Sequence, residues 1–368
     1  MLARGHAWIR LAQLRGNAAQ LYRGGQHDSA FRVLQQMITQ DLQLGLTADA
    51  ALRARQAVAL EHVNERVTPT ALALYALTLL HADDRDGARQ AASLAVDAAV
   101  DRAAPTEAAA AELIVGKIAL LDGELDLARA ALQRCRSAAL DIGHVQLAAL
   151  AFAELAAVET VAGRPAAAAV CWQFCATCYQ KALAPQWYAR ALAMQVRSLL
   201  AAQRFDHAMQ VAAQAHQAAA AVDDVVSAAI IDCEFADFLV EHQGITDDTR
   251  SACIIAVESA SVATRDPTET SQMLLVLARM RLAVVTPEIA DAQRHWDAGV
   301  DVARRLPAEL RSDLLLHGVL LLRLFAPDNS GNAGRTALLA HGRAQMLQTC
   351  TAQAQAALLA IEASDDGA

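Results

Sequence analysis

Small residues return along this chain at a fixed interval. Ala88, Ala128, Ala168 and Ala208 stand 40 residues apart, each five residues after Asp83, Gly123, Gly163 or Gln203. Ala30, five residues after Gly25, fits the same frame, and so do Ala252 and Ala292 after a four-residue slip. Four and seven positions beyond each alanine stand further small or apolar residues: Leu34 and Met37, Ala92 and Ala95, Leu132 and Cys135, Trp172 and Cys175, Ala212 and Ala215, Ala256 and Ser259, Trp296 and Gly299. That i, i+4, i+7 spacing puts each trio on one helical face. Self-similarity at this period predicts a helical repeat protein whose unit is two antiparallel helices joined by a short turn.

Upstream of each frame alanine a first helix is expected, as in residues 70–84, 111–123 and 186–203. Pro69, Pro105, Pro165, Pro185, Pro267, Pro287 and Pro307 fall at expected helix starts, where the absent N–H costs nothing. The expected fold class is all-α, an α-solenoid forming a right-handed superhelix of about 16–17 helices with no sheet. The expected organisation is one solenoid over residues 1–368. Residues 1–66 form an irregular N-terminal part with an additional helix near 47–65, residues 67–305 the regular repeats, and residues 306–363 capping helices that shield the last apolar face.

Composition sharpens this picture. Aromatic residues are only 4% of the chain, while alanine, the best helix former, is abundant. The net charge of −9 argues against non-specific nucleic-acid binding, which needs a basic surface. Residues 314–325 are the most apolar run, but they are too short to span a bilayer and contain Arg323. Seven cysteines and no secretory leader predict reduced thiols and a cytoplasmic protein.

The frame alanines, the small residue seven positions later and the short preceding turn make residues 12–305 resemble a tetratricopeptide repeat array. Gly116 stands where that family's first-helix glycine would be, although the family's usual early tryptophan and tyrosine are mostly absent. The 40-residue period exceeds the usual 34 and is similar to that of the superhelical sensor domains of MalT-type activators and Rap-type regulators. The resemblance implies a scaffold or sensor module.

Candidate chemistry is sparse. Cys171, Cys175 and Cys178 share a helical face, but Cys175 occupies the small-residue slot of Ala95, Cys135 and Ala215, so packing explains the cluster better than metal or redox chemistry. The histidines show no paired ligand spacing, and no phosphate loop, dinucleotide fingerprint or nucleophile elbow occurs. No enzyme activity, catalytic residue, metal or cofactor is therefore expected.

The resemblance implies a concave groove lined by the first helices. Counting back from the frame alanines places Arg15, Lys117, Arg190, Arg197 and Arg281 there, with Tyr22 and Arg23 at the N-terminal end. Leu113, Leu120, Leu277, Ala153, Ala157 and Ala193 stand between them. An apolar trough with spaced cations suits a protein or peptide segment carrying carboxylates. The competing explanation is that these cations pair with acidic residues of adjacent helices. The leading function is a non-enzymatic interaction scaffold. The alternatives are a regulatory module sensing a peptide or small anionic effector, and a structural subunit that assembles with copies of itself.

Overall fold

The computed structural model describes Leu14 and residues 27–43, 47–63, 68–265, 267–325 and 333–365. The described residues contain seventeen helices and no strand. The chain divides into two compact units, Met1–Ala184 and Pro185–Ala368. The first holds α1 (His27–Gln43), α2 (Thr47–Val63), α3 (Pro69–His81), α4 (Arg85–Asp101), α5 (Pro105–Leu121), α6 (Leu125–Asp141), α7 (Val145–Val161) and α8 (Pro165–Lys181). The second holds α9 (Pro185–Ala201), α10 (Phe205–Ala221), α11 (Val225–Gln243), α12 (Asp247–Ala263), α13 (Glu269–Val285), α14 (Ile289–Ala303), α15 (Ala308–Leu324), α16 (Ala333–Thr349) and α17 (Ala352–Asp365). The additional helix expected near 47–65 is α2. Arg15, Tyr22 and Arg23, and the side chain of Ala30, lie outside the described residues.

The 40-residue period is built from two equal halves. In the regular stretch each helix has 17 residues, and a three-residue link carries the chain to the next. Every link turns through one residue of positive φ: Asp83, Ala103, Gly123, Gly143, Gly163 and Leu183 in the first unit, Gln203 and Asp223 in the second. The next amide reaches back to the helix end, as from Glu124 to the Ala119 carbonyl at 2.8 Å and from Arg164 to Glu159 at 2.8 Å. This closing bond satisfies carbonyls that the helix end would otherwise leave unpaired.

Leu183 holds this left-handed conformation with φ 53° while 88% exposed. A β-carbon is disfavoured there by about 1–2 kcal/mol, and glycine gives part of that back through its greater freedom when unfolded. Leu183→Gly is therefore expected to raise stability by roughly 0.5–1 kcal/mol. Chemical denaturation of the two proteins side by side measures it, and a lower midpoint for the variant would contradict the strain assigned here.

Two kinds of helix alternate, and burial explains why. Second helices bury one stripe, as Ala88, Ala91, Ala92, Ala95 and Ala99 do in α4. First helices are buried around more of their circumference: α7 buries Leu147, Ala148, Ala149, Ala151, Phe152, Leu155, Ala156, Val158 and Glu159. In the first unit α3 packs on α5 and α5 on α7, whereas α4, α6 and α8 make no comparable contact with one another. In the second unit α9, α11, α13 and α15 pack in the same succession, and at its C-terminal end α14 also packs on α16. Small side chains permit this double contact, and Gly116 of α5 is the closest case. A β-carbon there would lie 2.5 Å from the Leu132 Cγ of α6.

The frame alanines Ala88, Ala128, Ala168 and Ala208 are fully buried, as is Ala292. Trp172 departs from its stripe and is half-buried. Ala252 is a correction: it is only half-buried, and the stripe of α12 runs instead through Thr249, Cys253, Ala256, Ala260 and Ala263. The cause is the longer α11, with 19 residues, and the different link through Gly244. A capping box then satisfies the buried Thr249 hydroxyl, which accepts from the Thr246 amide at 2.8 Å and donates to the Thr246 carbonyl at 2.9 Å. Pro69, Pro105, Pro165 and Pro185 open their helices as expected. Pro267 and Pro287 stand outside theirs, and Pro307 is an N-cap.

At the C-terminal end of the second unit, Trp296 of α14 is fully buried among Met280, Leu315, Val319, Leu322 and Leu338. Gly318 of α15 and Gly342 of α16 lie against its ring. Its indole N–H donates to Gln345 Oε1 at 3.1 Å, and Gln345 and His341 both contact Asp297 Oδ1 at 2.7 Å.

Candidate inner-layer interaction site

The groove cations expected from sequence fall on the first helices, where acidic residues meet most of them. In the first unit Lys117 of α5 pairs with Glu154 of α7 at 2.9 Å. In the second unit Arg197 of α9 pairs with Glu234 of α11 at 3.4 Å, across the same separation in sequence. Both pairs therefore express one packing register between neighbouring first helices. Arg281 of α13, itself buried, pairs with Asp237 of α11 at 2.5 Å.

In the second unit these charges form a connected group. Glu234, Asp237 and Glu241 are spaced i, i+3, i+7 on one face of α11. Burial raises the Glu234 carboxyl above the usual carboxylate range. Asp237 and Glu241 push the same way, against Arg197 and Arg281. Burial, aided by Arg281, lowers His317 of α15, while Asp237 and Glu241 oppose that shift. The inner face here is thus a balanced charge network rather than an unopposed positive stripe.

Arg190 is different. Half-buried on α9, it has no hydrogen bond or ion pair among the described residues, and it lines a cleft with Gln186, Trp187, Val222, Asp223 and Asp224.

Leu113 and Leu120 pack half-buried against Ala119, Ala128, Leu132, Leu155 and Val158. Leu277 packs half-buried against the core that holds Trp296. Ala153 and Ala157 are half-buried, but Ala193 is fully buried and lines no groove.

The exposed apolar residues of this layer are ones that counting from the frame alanines missed. Leu150 and Val161 of α7 are 43% and 64% exposed, and Leu121 of α5 is 54% exposed. Leu150, Glu154, Ala157 and Val161 share one face of α7, as Lys117 and Leu121 share one face of α5. The Lys117–Glu154 contact shows that these faces adjoin. Extending the i, i+4 pattern from Lys117 along its own helix was the signal available in the sequence.

The cysteines pack as small apolar groups. Burial pushes the Cys135 and Cys175 thiols up to about 12 and raises Cys171 and Cys178 as well. At neutral pH these groups stay protonated and weakly nucleophilic. Among the described residues no helix is long and apolar enough to cross a membrane.

No family model matches the chain, and no curated protein matches it. Solved structures do. The apo form of RapI matches with a TM-score of 0.54 at 9% identity, covering 74% of this chain and 97% of its own. The tetratricopeptide domain of P58(IPK) aligns with 92% of this chain and 99% of its own at 11% identity, with a TM-score of 0.25. A circular tandem repeat protein aligns with 95% of this chain and 98% of its own at 13% identity, with a TM-score of 0.30. The likeness to RapI shows the fold: an α-solenoid of helical repeats.

Proposed function

We propose that this chain is a non-enzymatic protein-interaction scaffold that takes a partner segment on the inner layer of its first helices. The observation that carries this reading is the strip on α5 and α7, where Leu121, Leu150 and Val161 stay exposed around the Lys117–Glu154 pair. Completing the burial of such half-exposed side chains contributes on the order of 1 kcal/mol each. The Lys117–Glu154 pair gives polar groups on the partner a point of register. A cytoplasmic setting belongs to the same reading, because all seven cysteines are free thiols, as a reducing compartment keeps them.

The test is site-specific photo-crosslinking in the native host, with a benzophenone side chain placed at Leu150, at Val161 or at Leu94, an exposed leucine of the second helix α4. A common partner is expected at the two α7 positions and not at Leu94. Leu150→Ser with Val161→Ser should then weaken that partner's binding by about tenfold or more while leaving the helical signal unchanged. Crosslinks confined to Leu94 would move the binding surface to the outer face.

A further inference from the structure

The cleft around Arg190 has features that the inner-layer strip lacks, and it lies within the second unit. Trp187 and Arg190 are spaced i, i+3 on α9, whose packing against α11 brings them to the link between α10 and α11. That link contributes Val222 and Asp223, and the cleft is open to solvent with a volume of about 470 Å3. Trp187 is 59% exposed. Asp224 is already engaged as the N-cap of α11, accepting from the Ser227 amide at 3.1 Å and from the Ser227 hydroxyl at 2.6 Å. Asp223 is exposed, with its backbone at φ 55°, and its carboxylate has no partner among the described residues. Arg190 and Asp223 therefore line one cleft with opposite charges, yet form no ion pair with each other.

This arrangement selects a charge pattern. A simple anion would meet Asp223 and Asp224, and a simple cation would meet Arg190. A dipolar molecule satisfies both ends. We propose that this cleft binds a free α-amino acid with an apolar side chain. Its carboxylate is held by the Arg190 guanidinium, which suits a planar two-oxygen acceptor. The ammonium is held by Asp223, and the side chain lies against the Trp187 ring and Val222. Gln186, which also lines the cleft, brings a neutral amide to it. Such a site would make the chain responsive to a metabolite, independently of whether the α5–α7 strip binds a protein.

The test uses the full chain and two probes, L-phenylalanine and L-leucine, followed by tryptophan fluorescence and calorimetry. Saturable binding is expected for at least one of them, with a fluorescence change that Trp187→Phe abolishes. N-acetyl-L-phenylalanine lacks the ammonium and L-phenylalaninamide lacks the carboxylate. Each should bind about tenfold or more weakly than the parent, in line with the loss of one charge-assisted hydrogen bond. Arg190→Gln should erase the difference between phenylalanine and its amide, and Asp223→Asn the difference between phenylalanine and its acetyl derivative. Circular dichroism of the variants checks that the fold is kept. Equal binding of parent and blocked analogues, or no saturable binding of either amino acid at millimolar concentration, would overturn the proposal. Neither result bears on crosslinking at α7, so the two readings fail separately.

Discussion

Trp296→Ala is expected to destabilise the second unit by about 3–5 kcal/mol, the range for emptying a fully buried aromatic site. Three helices close on this ring. A β-carbon at Gly318 would lie 3.0 Å from the ring atom Cη2, and one at Gly342 would lie 2.9 Å from Cζ2. Both positions are glycine where the indole needs the space, so the surrounding helices cannot collapse onto the void without moving their backbones. The variant also removes the N–H that Gln345 accepts, loosening the link through Asp297 to His341. Denaturant titration should show an earlier transition, and hydrogen exchange should place the lost protection in α14, α15 and α16. An unchanged midpoint together with unchanged exchange in those helices would mean that the ring does not hold the end of the array together.

Ala128→Leu should cost about 1–3 kcal/mol by overpacking. Ala128 is fully buried in α6, and a β-carbon on Gly116 of the facing α5 would lie only 3.4 Å from the Ala128 carbonyl oxygen. The added isobutyl group has no void to enter, so it must push the two helices apart. Leu127, its exposed neighbour, is the control: Leu127→Ala should stay within about 0.5 kcal/mol of the parent. Equal stability of Ala128→Leu and the parent under denaturant would mean that the small residue is not required at the crossing.

The same pair of residues explains how far the sequence could be read. A small side chain at a crossing is a local requirement that repeats with the structural unit, so Ala88, Ala128, Ala168 and Ala208 announced the array directly. The half-period was less visible. The residues that turn each link are Asp, Ala, Gly, Leu and Gln, so the backbone conformation is shared while its residue type is not. Ala252 misled for a related reason. The inward position of α12 is held by Thr249, a polar residue whose burial depends on a cap that no small-residue pattern describes.

For the candidate site, the residue types on the inner layer were legible, and their partners were not. Lys117, Arg190, Arg197 and Arg281 read alike in the sequence. Three of them meet an acidic residue of a neighbouring first helix, whereas Arg190 stands beside Trp187 and Asp223 without an ion pair.

The sequence alone determined that the chain is a helical repeat and where most helices cross, because helix periodicity and the size of a crossing residue are local properties. Tertiary structure decided which charges are matched, which apolar side chains remain exposed, and that the chain forms two compact units. Those outcomes depend on the register between first helices that are separated in sequence by a whole intervening helix, and only packing sets that register.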